Sequence, residues 1–222
     1  MRVIITAATA GEWGPFSASL NPAYTTGTAG LQIRFHASGV GMLTSAFSIT
    51  KMLLEEKPDL VVQAGIAGCF DPGTALGSVF AVKQEILADT GVEENGSWND
   101  LFDLKLENAN RFPFCEGKLP NPWLDRFNLL RLPVADAVTV NQISVSPERI
   151  RQISSRYTPG LESMEGAVLH YACGISNIPF LQLRAVSNYI GERNKANWKI
   201  KEAIGNLNQV LTDYADALHR TF

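Results

Sequence analysis

Two kinds of hydrophobic pattern alternate along the chain. Short runs with few polar residues occur at "VIITAA" (3–8), "LQIRFHA" (31–37), "DLVVQAG" (59–65), "SVFAVKQEIL" (78–87), "VADAVTV" (134–140) and "PFLQLRAVS" (179–187). Their length and β-branched content predict strands, several of them covered on both faces. Between them the period changes to that of a helix. Residues 42–56 follow a Gly-Val-Gly turn and stop before Pro58, and 146–156 open with Ser146-Pro147, a helix-start pair. Residues 163–175 repeat apolar positions every three or four residues, predicting that Met164, Ala167, Val168, Tyr171, Ala172 and Ile175 are buried. Residues 197–220 do the same with Ile200, Ala203, Ile204, Leu207, Val210, Leu211, Tyr214 and Leu218, predicting an amphipathic helix on a sheet.

Strands and helices in this alternation predict an α/β fold with a largely parallel sheet covered on both faces. Residues 89–130 break the pattern. They are rich in Asn, Pro, Gly and charge, and predict insertion loops near one end of the sheet. No repeat, low-complexity tract or boundary interrupts the rest, so a single domain over 1–222 is expected.

Composition removes several function classes. With 19 basic and 22 acidic residues and a net charge of −3, the chain has no basic stripe for nucleic acid. No apolar run is long enough to span a membrane, and "MRVIITAATAGEW" has no signal-peptide cleavage pattern, so a cytoplasmic protein is expected. Cys69, Cys115 and Cys173 lie far apart and outside any CxxC, which suits small apolar fillers. His36, His170 and His219 lack metal-ligand spacing, so neither metal nor cofactor is expected.

Four segments could carry chemistry: Glu12, "AGIAG" (64–68), "ESMEG" (162–166) and "SNY" (187–189). Each lies just beyond a predicted strand or opens a helix, where one crevice at the carboxyl ends of the strands could collect them. Each also has a plain reading. Glu12, Glu162 and Glu165 suit first-turn helix acids, "AGIAG" suits a tight strand-to-helix turn, and Asn188 suits a strand-end cap. An amide at Asn188 both donates and accepts hydrogen bonds, whereas an ionised carboxylate only accepts.

In order and spacing, the four segments resemble the purine nucleoside phosphorylase and methylthioadenosine/S-adenosylhomocysteine nucleosidase superfamily, over nearly the whole chain. Within it, "SMEGAVLHYAC", "IPFLQLRAVSNYIGERNKANWKIKEAIGNLNQVL" and "DTGVEENGSWNDLFDL" are similar to the futalosine hydrolases. The resemblance implies a three-layer α/β/α nucleoside phosphorylase-like fold with a central, mostly parallel mixed sheet. It also implies an N-ribosyl hydrolase that releases hypoxanthine from futalosine in menaquinone biosynthesis. The expected partners are a small-molecule nucleoside and further copies of the chain, as a homodimer or higher homo-oligomer.

Residue by residue, the resemblance gives Glu165, beside Met164, the ribose hydroxyls, and sets Gly65, Ile66, Ala67 and Gly68 beside the sugar as a Gly-rich turn. It makes Glu12 the acid that activates water. Asn188 stands where the nucleosidases have an Asp that donates to purine N7, and Val140 and Asn141 lie against the base. An amide can also pair with adenine, so 6-aminopurine nucleosides remain an alternative. A phosphorylase would need an Arg and a Ser to grip phosphate, at places that hold Gln63 and Ile66 here. A silent nucleoside-binding protein would keep the same fold without the reaction. Futalosine's aromatic carboxylate calls for a donor, for which Arg193 and Lys195 are candidates, but each is more often a solvated surface charge and neither is assigned.

Overall fold

The apolar runs become strands of one eight-stranded mixed sheet. The structure, a computed structural model, describes residues 1–28 and 30–222. It begins with β1 (Arg2–Ala7), a 3-10 turn (Ala10–Glu12), α1 (Gly14–Ser19), α2 (Pro22–Thr26), β2 (Gln32–Ala37) and α3 (Met42–Glu56). β3 (Leu60–Cys69), β4 (Val79–Leu87), β5 (Gly91–Glu94), β6 (Ser97–Asp100), β7 (Leu119–Pro120) and α4 (Leu124–Phe127) follow. The chain continues through β8 (Val134–Thr139), α5 (Pro147–Tyr157), β9 (Leu161–Ser163), α6 (Gly166–Ser176), β10 (Phe180–Tyr189), a 3-10 turn (Lys195–Asn197) and α7 (Ile200–Thr221).

Alternation along the central strands sends successive side chains to two helical layers. Val3, Ile5, Leu60, Val62, Leu181 and Leu183 face α7, from which Ala203, Leu207, Leu211, Tyr214 and Leu218 complete one core. Ile4, Val61 and Phe180 face the other way, against Ile49, Met52 and Leu53 of α3 and Val168, Leu169 and Cys173 of α6. The result is the three-layer α/β/α arrangement. Pairing is parallel for β2–β1, β1–β3, β3–β10, β4–β8 and β8–β9, and antiparallel for β10–β4, β3–β9 and β4–β7.

The sheet closes on itself at one end. β10 pairs with both β3 and β4, while β9 pairs with both β8 and β3, so these five strands form a ring around Ala67, Cys69, Val82, Ala137, Leu161 and Val186. β3 carries this closure along its two edges. One edge pairs with β10 throughout; the other pairs with β1 over Leu60–Gln63 and with β9 at Gly68 and Cys69. Residues 64–67 have no strand partner on that second edge.

Four expectations about elements and burial are corrected. "AGIAG" is the continuing half of β3, with no positive φ at Gly65 or Gly68, because pairing with β10 holds it extended. Residues 161–163 form β9 and α6 starts at Gly166, so Glu162 belongs to a strand and Glu165 is the residue before the helix. Tyr171 and Ile175, expected inside, are exposed, while Leu169, His170 and Cys173 are buried instead. α6 lies across both the sheet and α3, which rotates its buried face away from the simple periodicity. Residues 89–130 are mostly irregular but contain the β5–β6 hairpin, β7 and α4. Cys115 is exposed rather than packed, and Cys69 and Cys173 are buried.

Within the sheet's interior, Glu85 accepts from the Gln182 amide and the Thr139 hydroxyl, each at 2.8 Å, and Thr139 accepts from the Ala167 N–H at 2.8 Å. Glu85 thereby ties β4, β8 and β10 to the first turn of α6. Burial raises its carboxyl from 4.5 to about 7, against the hydrogen bonds and the nearby Arg184. Between those two pH values the folded protein keeps a proton that the unfolded chain has released. Stability therefore falls as pH rises from about 4.5 to about 7 and then levels off. Glu85→Gln removes this dependence, so its unfolding free energy relative to the parent improves by up to about 3 kcal/mol from pH 4.5 to pH 8. Urea unfolding at several pH values measures it; a pH-independent difference would show that Glu85 ionises as freely folded as unfolded.

Candidate active site

A cavity of about 380 Å³ opens where β1, β3, β8 and β10 end. Its walls are mainly apolar, with Val40, Ile66, Val140, Ile143, Ile190, Trp198 and Ile204 around a few buried polar side chains. That composition suits a flat, partly polar small molecule.

Glu12 is held from two sides. The chain leaves β1 into a 3-10 turn in which the Thr9 N–H donates to Glu12 Oε2 at 2.9 Å, and the unpaired stretch of β3 offers the Ile66 N–H to Oε1 at 3.4 Å. From α7, Asn208 accepts from the Phe16 N–H at 2.7 Å and donates to the Glu12 carbonyl at 2.8 Å. These contacts fix the backbone on both sides of the acid. Burial pushes the Glu12 carboxyl above its ordinary value, opposed by the Thr9 N–H and then by the Arg184 guanidinium.

Arg184 lies beneath Glu12, only 2% exposed although it sits in the middle of β10. It donates to Gln63 Oε1 at 2.9 Å and stands 3.9 Å from Glu165 Oε2. A Cβ on Gly65 would lie 2.1 Å from Arg184 Nη1 and 3.2 Å from Glu12 Oε1, so only glycine admits the guanidinium there. Glu165 accepts from the Gly41 N–H at 2.9 Å, where the backbone of Gly41 takes φ 84° at the start of α3. Gln63 completes the group by donating to the Glu165 carbonyl at 3.4 Å.

Asn188 is placed by a bulge. The β3–β10 register slips between Val186 and Asn188, which re-aims the side chain at the sheet end. Its Oδ1 accepts from the Ser187 hydroxyl at 2.8 Å, and Nδ2 donates to the Tyr189 carbonyl at 3.0 Å. One N–H of the amide is left for a ligand.

Of the residues expected at the site, Glu12, Ile66, Ala67, Gly68, Val140, Met164, Glu165 and Asn188 line this one cavity. Gly65 lies just below it. Asn141 does not join them: it is exposed and its backbone and side-chain N–H groups turn to Asp89. Arg193 lines the cavity and lies 5.8 Å over the Trp198 ring, whereas Lys195 is outside it. The sequence reading gave no role to Arg184, Asn208 or Ser187. Arg184 and Gln182 had a visible signal, two polar residues spaced by two in an otherwise apolar strand. Asn208 interrupts the buried stripe of α7 in the same way. Among the described residues, no three His, Cys, Asp or Glu side chains gather as a metal site, and no helix is long and apolar enough to cross a membrane.

The sequence pattern of the phosphorylase superfamily matches residues 2–222, and the chain belongs to that superfamily. The chain is 30% identical over 184 residues to a futalosine hydrolase of Thermus thermophilus, covering 82% of this chain and 80% of that protein. It is likewise 30% identical to a futalosine hydrolase of Streptomyces coelicolor, over 82% of this chain and 78% of that one. The 5′-methylthioadenosine/S-adenosylhomocysteine nucleosidase of S. pneumoniae, solved with the transition-state inhibitor MT-ImmA, shares the fold. Its TM-score is 0.79 at 19% identity, covering 98% of this chain and 100% of that one. The chain is an enzyme of the nucleosidase class of hydrolases, which act on N-glycosyl bonds.

A buried cation between buried carboxylates makes their energies interdependent. Arg184→Met leaves Glu165 without its counter-charge and Gln63 Oε1 without its donor, costing about 3–5 kcal/mol by urea unfolding. Glu165→Gln in the same background should recover at least about 1 kcal/mol relative to additivity. Strictly additive losses would show that the two side chains do not compensate one another.

Proposed function

We propose that this enzyme hydrolyses the N-ribosidic bond of futalosine and releases hypoxanthine. The observation that carries the reading is that Glu12, Glu165 and Asn188 reach a single cavity, and that Arg184, the cation buried beneath Glu12 and Glu165, is already engaged by protein groups. The similarity to two futalosine hydrolases supports the choice of substrate.

Breaking an N-ribosidic bond builds positive charge on the sugar and negative charge on the departing base, so the site must stabilise both. Glu165 accepts hydrogen bonds from the ribose hydroxyls and sets negative charge near the developing cation. Glu12 takes a proton from the water that attacks the anomeric carbon; its raised pKa makes it a better base than an exposed carboxylate. Asn188 gives its remaining N–H to N7 as electron density collects on the base. Ser187 holds the amide in that orientation. Arg193 at the cavity's edge is placed to meet a carboxylate on the substrate.

Water suits this site better than phosphate. Gln63 is committed to Arg184 and Glu165, and the Ile66 N–H faces Glu12, whose negative charge would repel an anion. On this reading the enzyme serves menaquinone biosynthesis in the cytoplasm. It also self-associates through the exposed apolar residues Leu43, Phe47 and Leu54 of α3 and Tyr171 and Ile175 of α6.

Incubation with futalosine, aminodeoxyfutalosine, inosine and methylthioadenosine tests the reading directly. Hypoxanthine and free sugar should form from futalosine without phosphate. A rate that depends on phosphate, with a sugar 1-phosphate as product, overturns the hydrolase; base release only from the 6-amino compounds overturns the substrate.

Glu12→Gln keeps size and hydrogen-bonding reach but cannot accept the water's proton. It should lower kcat by about 10²- to 10⁴-fold and leave nucleoside affinity nearly intact. Glu165→Gln should weaken both, because its contacts to the ribose exist before and during bond breaking. A Glu12→Gln enzyme within threefold of the parent in kcat means that the water is activated elsewhere.

A further inference from the structure

Glu85, Gln182 and His170 are buried polar side chains to which the mechanism above gives no task. The Nδ1 of His170 lies 2.8 Å from the Leu119 carbonyl. A carbonyl only accepts, so Nδ1 carries the proton and a neutral ring keeps a bare lone pair on Nε2. Gln182 lies within hydrogen-bonding reach of that ring, and its Nε2 is turned to Glu85, which leaves Oε1 on the other side. Both Gln182 Oε1 and His170 Nε2 are buried with no partner. Two buried acceptors without a donor are costly.

One proton supplies the missing donor, in either of two places. On His170 Nε2 it makes an imidazolium that donates to Gln182 Oε1, while an ionised Glu85 accepts from Gln182 Nε2. On Glu85 it makes a carboxylic acid that donates to Gln182 Oε1; the amide, nearly the same shape when turned over, then donates from Nε2 to His170 Nε2. The second arrangement leaves no separated charges in the core. Burial favours it as well, raising Glu85 to about 7 and lowering His170 to about 4, and the Arg184 guanidinium further opposes a second cation.

The acid bears on the cavity through the start of α6. A helix is commonly capped by the side chain of the residue before it, here Glu165, yet Glu165 makes no such bond. Thr139 of β8 caps in its place by accepting from the Ala167 N–H at 2.8 Å. The one hydroxyl proton of Thr139 goes to Glu85 Oε2 at 2.8 Å, which turns its lone pairs toward the helix. The same carboxyl supports the first residue of α6, since a Cβ on Gly166 would collide with Glu85 Oε1. Relieved of capping, Glu165 turns its carboxylate to the Gly41 N–H and the cavity. We propose that Glu85, in its neutral form, is a positioning residue for Glu165: it holds the single proton of the Gln182–His170 pair and, through Thr139, sets the helix start that frees Glu165 for the ribose. This rests on the ribose-binding role of Glu165 proposed above and adds what holds that acid in place.

The test is the preference for a ribosyl over a 2′-deoxyribosyl substrate. It is read as the ratio of kcat/KM for futalosine, or the nucleoside that the parent cleaves best, to that for its 2′-deoxy analogue. A variant that merely loosens the fold lowers both values and leaves the ratio alone. Thr139→Val, which keeps the shape without the hydroxyl, and Glu85→Leu should lower the ratio by about tenfold, because a displaced Glu165 loses its hold on the 2′-hydroxyl. Thr139→Ser and Glu85→Gln should stay within about twofold of the parent, since serine keeps the hydroxyl and glutamine offers the donor and acceptor of a protonated glutamate. A ratio retained in Thr139→Val, or lost in Glu85→Gln, overturns the positioning role. A Glu165→Gln enzyme that keeps the parent's ratio overturns the ribose reading itself, which is a separate outcome. NMR of the parent needs no variant. At about pH 6, between the two values, the ring-nitrogen signals of His170 should be those of a neutral ring protonated at Nδ1, and the carboxyl-carbon signal of Glu85 that of the acid. An imidazolium at His170 or an ionised Glu85 at that pH overturns the placement of the proton.

Discussion

Arg184 is the constraint around which this site is built. A guanidinium in the middle of a buried strand is tolerated only when its charge and donors are matched. Here Gln63 from the neighbouring strand takes one donor, Glu165 stands close by from the start of α6, and Glu12 lies above. Gly65 leaves the space through which the guanidinium reaches them. The 3.9 Å separation from Glu165 leaves that carboxylate able to accept other donors. Two acids can therefore stand at one cavity with a cation below them, rather than repel each other in a dry pocket.

The ring closure of the sheet provides the rest. Because β3 gives up its pairing with β1 after Gln63 and gains β9 only at Gly68, the Ile66 N–H is free to turn to Glu12. The same closure brings Glu162 into a row with Gly68 and Asn188, and the bulge in β10 aims Asn188 toward that row. Two polar groups of the interior are kept apart by the alternation of β10. Arg184 supports the cavity, while Gln182, two residues earlier, pairs with Glu85 and anchors α6. The helix that begins just after Glu165 is thus held by an interaction outside the cavity.

The cavity has two chemically distinct ends. At one end Glu12 and Glu165 are clamped by backbone N–H donors from Thr9, Gly41 and Ile66. At the other end Asn188 and Glu162 are set among apolar walls, where an unmatched donor or acceptor is most costly.

Hydrophobic periodicity by itself determined six of the sheet's strands, the four longer helices and the mostly parallel α/β class, because each depends on local spacing of apolar residues. The motifs around Glu12, Glu165 and Asn188 were also legible, since strand ends and helix starts have short sequence signatures. β9 was too short to show a period, and its placement decided that Glu162 is a strand residue facing the cavity instead of a helix-turn acid. "AGIAG" reads locally as a turn, and only its partner β10 makes it a strand. Asn141 follows a strand just as Asn188 does, yet Asp89, 52 residues away, draws it out of the site. Arg184, Gln63 and Gly65 show the general reason. Which polar residue in an apolar strand is matched, and by what, depends on neighbours that are distant in sequence and adjacent only across the sheet.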